Sequence, residues 1–188
     1  MADTKAPSPK DSETAEDEGG PVRFMSQSVA LDFAIRTSPV TKRFSDLLQK
    51  EKITGHKCPQ CERVYVPPRG YCPMCVVETT KEHEVEVADK GTITSFTVIT
   101  PIQYYGQKER DDYVLANILL DGASSTIGQQ RIGEVPIDQV RMGMRVEAVW
   151  APKEDRVVEG RGWGGAFATW RPTGDPDVDR EHYKEHML

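Results

Sequence analysis

Apolar and polar positions along the chain divide it into segments of different period. Residues 1–24, MADTKAPSPKDSETAEDEGGPVRF, carry almost no large apolar side chains and are rich in Asp, Glu, Ser, Pro and Gly. Such a segment cannot bury enough surface to offset its ordering entropy, so an acidic, disordered tail is expected over 1–27. In SVALDFAIR (28–36), Val29, Leu31, Phe33 and Ile35 alternate as in a strand, while Leu31 and Ile35 also suit a helix turn. The next signal is clearer. Thr37 or Ser38 is a candidate N-cap, and Pro39 suits the first helical position. Val40, Phe44, Leu47 and Leu48 then share one face of a helix running to about Lys50. That stripe must pack on the rest of the chain or on a partner.

Beyond residue 83 the period shortens to that of strands. VEVADKGTITSFTVIT (85–100) is β-branched, with a hairpin or loop expected at Asp89-Lys90-Gly91 and a strand over Ile93–Ile99. PIQYYGQKERDD is a polar loop. Tyr113–Leu120, Ser124–Gly133, Arg145–Trp150 and Ala166–Trp170 are further strands, with a short turn or one-turn helix from Pro136. Five or six short strands separated by turn residues indicate a small barrel. The tail after Arg171 is polar and is expected to wander over a surface.

The candidate chemistry lies between helix and strands. The chain has four cysteines, Cys58, Cys61, Cys72 and Cys75, arranged as two C-x2-C pairs. Each pair directs two thiolates to one side of a tight turn, and Pro59 and Pro73 stiffen those turns. Two such knuckles facing each other make a tetrahedral sulfur site, the geometry of structural Zn²⁺. The rival readings are two disulfides, a redox C-x-x-C and an iron centre. Disulfides need an oxidising compartment, and no apolar leader begins the chain. A redox pair would open a helix in a βαβ unit, whereas short strands and prolines surround these cysteines. Iron accepts the same ligands as zinc, and spacing does not separate the two. A closed four-sulfur site has no open position for activating water, so its role is architectural.

Composition narrows the function. The 188 residues carry a formal charge of −6, and the pI is about 5.3. That balance disfavours a protein devoted to holding a nucleic-acid backbone. No apolar run is long enough to span a bilayer, so a cytoplasmic protein with reduced thiols is expected. His56, beside the knuckles, could support the metal ligands from behind; the plainer reading is an ordinary surface residue. His182 and His186 have the i, i+4 spacing of a metal pair, but in a polar tail they read as a solvated helix end. The loop Glu159–Gly165 is rich in glycine. Arg161 there could pair with a phosphate and Trp163 could stack on adenine or fill a partner's pocket; the plainer reading is a hairpin loop. Tyr104 and Tyr105 are either barrel-mouth contacts or loop residues. Arg63 and Arg69 could approach a diphosphate, though exposed arginines are common.

The order of these stretches resembles a known family. A helix is followed by VYVPPRGYCPMC, then GTITSFTV, YVLANILLDG, VRMGMRV and FATWRP. This is similar to the rubredoxin-like zinc ribbon plus OB-fold family that accompanies thiolases, domain of unknown function 35, over residues 28–172. The resemblance implies a mainly β fold with an N-terminal helical segment (28–55), a zinc ribbon (56–82), a five- or six-stranded OB-fold barrel (83–172) and a C-terminal tail (173–188). It implies Zn²⁺ held by Cys58, Cys61, Cys72 and Cys75. It also implies a non-catalytic accessory subunit of a thiolase-superfamily acyl-CoA enzyme that helps form the acyl-CoA site. A bacterial CoA-thioester degradation pathway and a hetero-oligomer with two copies of each subunit follow from the same likeness. It hands over no fixed CoA-binding residues, so Arg161, Trp163, Tyr104 and Tyr105 stand as candidates from the residues alone. The alternatives are a nucleic-acid-binding OB protein and a free-standing enzyme or iron carrier.

Overall fold

Ser38 begins the described helix, and its backbone shows why. In the computed structural model, which describes residues 31, 36–101, 111–156 and 163–187, the Ser38 hydroxyl accepts from the Thr41 N–H at 3.1 Å. Pro39 occupies the first turn of α1 (Pro39–Leu48). This hydroxyl satisfies one of the helix's orphan donors, and proline lacks an N–H that would need satisfying. Phe44 and Leu48 are buried. They join one apolar cluster that also takes Ile53, Val66 and Val87 and the barrel interior. The helix stripe therefore packs on its own chain.

The strands form two sheets. β1 (Ile53–Lys57) is central in the first, flanked by β2 (Val64–Tyr65) and β3 (Glu84–Val87). Its registers are His56 opposite Tyr65 and Gly55 opposite Val85, both antiparallel. The second sheet is a closed five-stranded barrel, ordered β4 (Lys90–Ile99), β5 (Tyr113–Leu120), β6 (Thr126–Ile132), β8 (Phe167–Pro172), β7 (Arg145–Trp150). Closure removes the unpaired edges that an open sheet would present. The pairing of β6 with β8 is parallel, through Ile132 and Trp170, and the other pairings are antiparallel. Inward residues Ile93, Val114, Ala116, Ile118, Val146 and Trp170 fill the interior. Trp150, Phe167 and Trp170 follow one another in tilted aromatic contacts, with ring centroids 4.8 and 5.2 Å apart.

Two expectations are corrected. Of the hairpin or loop expected at Asp89-Lys90-Gly91, the structure has a short loop at 88–89 and no hairpin, because β3 and β4 do not pair with each other. β3 is bonded to β1, whereas Lys90 and Gly91 already belong to β4 and face Glu147 and Val146 of β7. The tail after Pro172 does not wander. Val178 donates to the Gly143 carbonyl at 2.9 Å, and Arg141 holds Asp177 through two hydrogen bonds of 2.5 and 2.9 Å. A one-turn helix, α2 (Arg180–Tyr183), then buries Tyr183. Gly143 makes this docking possible. Its φ is +86°, and a β-carbon there would meet the Val178 carbonyl and the Tyr183 ring.

The sheets are joined by hydroxyls as well as by apolar contact. The Val64 N–H donates to Ser124 Oγ at 3.1 Å, and the Val66 N–H to Ser125 Oγ at 2.9 Å. Ser125 Oγ donates back to the Val66 carbonyl at 3.1 Å. The short strand β2 thus has its outer edge satisfied by the turn between β5 and β6.

Candidate metal centre

Each cysteine pair sits on a turn closed by two backbone bonds. In the first, Cys58 N–H donates to the Arg63 carbonyl at 2.8 Å and Glu62 N–H to the Cys58 carbonyl at 3.0 Å. In the second, Cys72 N–H donates to the Val77 carbonyl at 2.8 Å and Val76 N–H to the Cys72 carbonyl at 2.9 Å. The residue after each second cysteine, Glu62 and Val76, takes a left-handed backbone, with φ of 61° and 55°. β1 delivers the first knuckle, and an isolated bridge between Tyr71 and Glu78 closes the second.

The sulfurs converge. The four sulfur atoms lie within 4.8 Å of one another, and Cys61 Sγ is 3.7 Å from Cys72 Sγ. A tetrahedron with metal–sulfur bonds of about 2.3 Å has edges of about 3.8 Å, so the arrangement fits a zinc-sized ion. Backbone N–H groups of Gln60 and Cys61 point at Cys58 Sγ, both at 3.4 Å, a polarity that suits thiolate. The thiols respond accordingly. Burial pushes Cys72 up, but the N–H groups of Cys75 and Met74, with the neighbouring sulfurs, outweigh it and lower its pKa to about 6. Cys75 is raised to about 12, chiefly by the hydrogen bond shared with Cys61 and then by burial. A divalent cation held by these sulfurs would replace that retained proton. Cys58 and Cys72 are fully buried, and Tyr65 packs with the four sulfurs.

The surroundings are supportive rather than reactive. His56 is not a surface residue: it is 3% exposed, and its Nδ1 lies 3.1 Å from Thr79 Oγ1. On β1 it is paired with Tyr65 of β2 on one side and Glu84 of β3 on the other; it is buried there, and that burial lowers its pKa. His83 accepts from the Thr80 N–H at 3.0 Å, completing a capping box at the turn before β3. Arg43 of α1 grips Glu84 of β3 through two hydrogen bonds of 2.6 and 2.7 Å. A cleft of about 300 Å³ beside this pair is lined by Phe44, His56, Pro68 and Thr79. Among the described residues, the four cysteines are the one cluster of ligand atoms suited to a metal. His182 is exposed and His186 half-buried, and they form no such cluster.

Arg63 and Arg69 are both exposed on the ribbon. Tyr104, Tyr105 and Arg161 lie outside the described residues, as does the side chain of Trp163, whose backbone opens the turn Trp163–Ala166. The reading of the residues missed Arg156. Its partners, Gln49, Glu51 and Ala151, lie on another element or past a turn, and only folding brings them together.

A four-thiolate knuckle pair packed on a closed five-stranded barrel defines a zinc ribbon joined to an OB-fold. Family models agree with both parts. Residues 45–78 match "ChsH2, rubredoxin-like zinc ribbon domain" and residues 84–151 match "ChsH2, C-terminal OB-fold domain". The chain belongs to the DUF35 zinc-ribbon/OB-fold family, and its four cysteines, close together within the zinc-ribbon match, support a structural zinc there. A "DUF35 domain-containing scaffold protein" of Methanocaldococcus jannaschii is 29% identical over 128 residues, covering 68% of this chain and 88% of the relative. A relative of the same description from Methanothermobacter thermautotrophicus is 34% identical over 103 residues, 54% of this chain and 74% of its own length. The solved structure "Ltp2-ChsH2(DUF35) aldolase" aligns with a TM-score of 0.53 at 17% identity, covering 74% of this chain and 98% of that one, a likeness of fold.

Proposed function

We propose that this protein is a non-catalytic scaffold subunit of a thiolase-superfamily acyl-CoA enzyme, helping to form or stabilise that enzyme's acyl-CoA site. The observation that carries the reading is the convergence of all four cysteines on one point, an arrangement that suits one closed metal centre. Thiolase chemistry needs a free thiolate nucleophile with an acid–base partner. Here no cysteine remains for that role, so the nucleophile belongs to another polypeptide. The description of the two curated relatives as scaffold proteins supports this, as does the aldolase in which a DUF35 chain is paired with Ltp2.

The acyl-CoA would sit in the partner, with Tyr104, Tyr105, Arg161 and Trp163 as this chain's contributors to its rim. An assembly with two copies of each subunit and a cytoplasmic location complete the proposal. The test is reconstitution. Recombinant thiolase-superfamily enzymes of the source organism are assayed with and without the zinc-loaded chain. One of them should form a stable complex and gain activity on addition. Turnover of an acyl thioester by the solitary chain would sink the reading, as would indifference of every candidate enzyme to it.

A further inference from the structure

The two knuckles are a structural repeat displaced by 14 positions, Cys58 to Cys72 and Cys61 to Cys75. Lys57 pairs with Val64 as Tyr71 bridges Glu78. The same two backbone bonds close each turn, and Glu62 and Val76 share the same left-handed conformation. Each knuckle is therefore a control for the other. Whatever one tolerates, the backbone of the other does not forbid.

Their surfaces are opposite in chemistry. The first knuckle shows Lys57, Gln60 and Glu62 to solvent, with Lys57 and Glu62 ion-paired at 3.5 Å. At the equivalent places the second shows Tyr71, Met74 and Val76, which are 52, 65 and 83% exposed. The turn does not require apolar groups there, since the first knuckle fills the same positions with polar ones. Val76 is the telling residue. A β-branched side chain is strongly disfavoured at positive φ, where glycine or asparagine would be at ease. At 83% exposed, Val76 finds no compensating burial among the described residues. Exposed apolar side chains held against local preference mark contact surfaces.

We infer that the tip of the second knuckle, Tyr71, Met74 and Val76, is the point at which this chain seats in an apolar socket of its catalytic partner. The inference rests on the scaffold reading above and names the surface that reading leaves open. Charge defines the socket. The three side chains carry none, and the exposed residues flanking them along the chain are Arg69 and Glu78, one of each sign. An uncharged centre with a mixed-sign rim is the pattern of a protein–protein contact. A bilayer surface is a poorer match, because the chain carries −6 overall and Arg69 is the single cation flanking the tip along the chain.

The experiment gives the second knuckle the surface of the first. Wild type, the triple variant Tyr71→Lys/Met74→Gln/Val76→Glu, and Val76→Gly alone are titrated against the purified thiolase-superfamily enzymes of the source organism. Zinc content and melting temperature are followed in parallel. The triple variant should keep its zinc and bind at least tenfold more weakly. Val76→Gly should melt higher yet bind several-fold more weakly, a split that a purely structural role would not produce. If the triple variant loses zinc, Val76→Gly decides alone. Equal affinity of wild type and zinc-loaded variants overturns the tip inference and leaves the scaffold reading standing. Failure of wild type to bind any of these enzymes overturns both. Self-association of the chain, or flotation with phosphatidylcholine–phosphatidylglycerol vesicles, that the triple variant abolishes would show a different occupant and also overturn the inference.

Discussion

Arg156 Nη1 donates to the Gln49 carbonyl at the C-terminal end of α1, at 2.9 Å, across 107 positions of chain. The same guanidinium donates to the Ala151 carbonyl at 3.0 and 2.7 Å and to Glu51 Oε1 at 2.6 Å. A helix's last carbonyls lack intrahelical donors, and a cation there also complements the helix dipole. Arg156→Met keeps the aliphatic stem but strands these acceptors. It should cost about 2–4 kcal/mol, the range for removing one partner from a buried charged network. Urea denaturation measures it. Glu51→Gln should cost less than about 1 kcal/mol, because an ion pair with an exposed partner contributes little.

Metal removal should unfold more than the ribbon. Ile53 and Val66 belong to the same apolar cluster as the barrel residues Ile93 and Val114. A strong chelator, or Cys72→Ser, should therefore lower the melting temperature of the whole chain and not of a separate minor transition. Elemental analysis of the purified protein should give one zinc per chain in a colourless solution. A red protein with visible thiolate-to-metal absorption would mean iron instead.

Acidification should weaken the fold in two windows. The Arg43 guanidinium, through its hydrogen bonds, holds the Glu84 carboxyl below its ordinary value of 4.5 against the opposing effect of burial. That stabilisation is complete above the unfolded value and is lost as pH falls through the folded one. His56 adds a window at higher pH. Burial lowers its pKa from 6.5, with Glu84 pulling it back up and His83 and Arg43 pushing it further down. The unfolded chain then takes the proton first, so stability falls as pH drops from 6.5 toward the folded value. His56→Gln should flatten the upper part of the stability–pH curve in zinc-buffered solution, while Arg43→Met should flatten the lower part.

Gly91→Ala should be disproportionately harmful. Gly91 is paired with Leu120 on β5 and Val146 on β7, and a β-carbon there would collide with the Leu119 carbonyl and the Ile118 side chain. Overpacking of this kind costs about 1–3 kcal/mol, which calorimetry would detect. Gly122→Ala tests a different cause. A β-carbon at Gly122 meets nothing nearby, so its smaller cost reflects positive φ alone.

Signals that are local in the chain were legible. The cysteine spacing, the Ser38-Pro39 helix start and the short apolar-rich stretches Tyr113–Leu120 and Arg145–Trp150 act within a few residues, and each matches its element. Gly91 shows the limit. Between Asp89 and a β-branched run, glycine carries the signature of a turn, and only the closeness of Leu119 explains its place inside a strand. His56 was misjudged for a related reason. A histidine beside charged residues looks exposed until flanking strands close over both sides of β1.

The sequence by itself determined the paired cysteine turns, the strand and helix segments and the family, because cysteine spacing, capping and hydrophobic period are short-range properties. Tertiary structure decided which strands share a sheet, where the helix stripe is buried, what satisfies Arg156, and that the two knuckles share a backbone yet differ in surface. Those outcomes depend on contacts between residues far apart in the chain. Such contacts leave no periodic trace, because each is one solution of the packing as a whole.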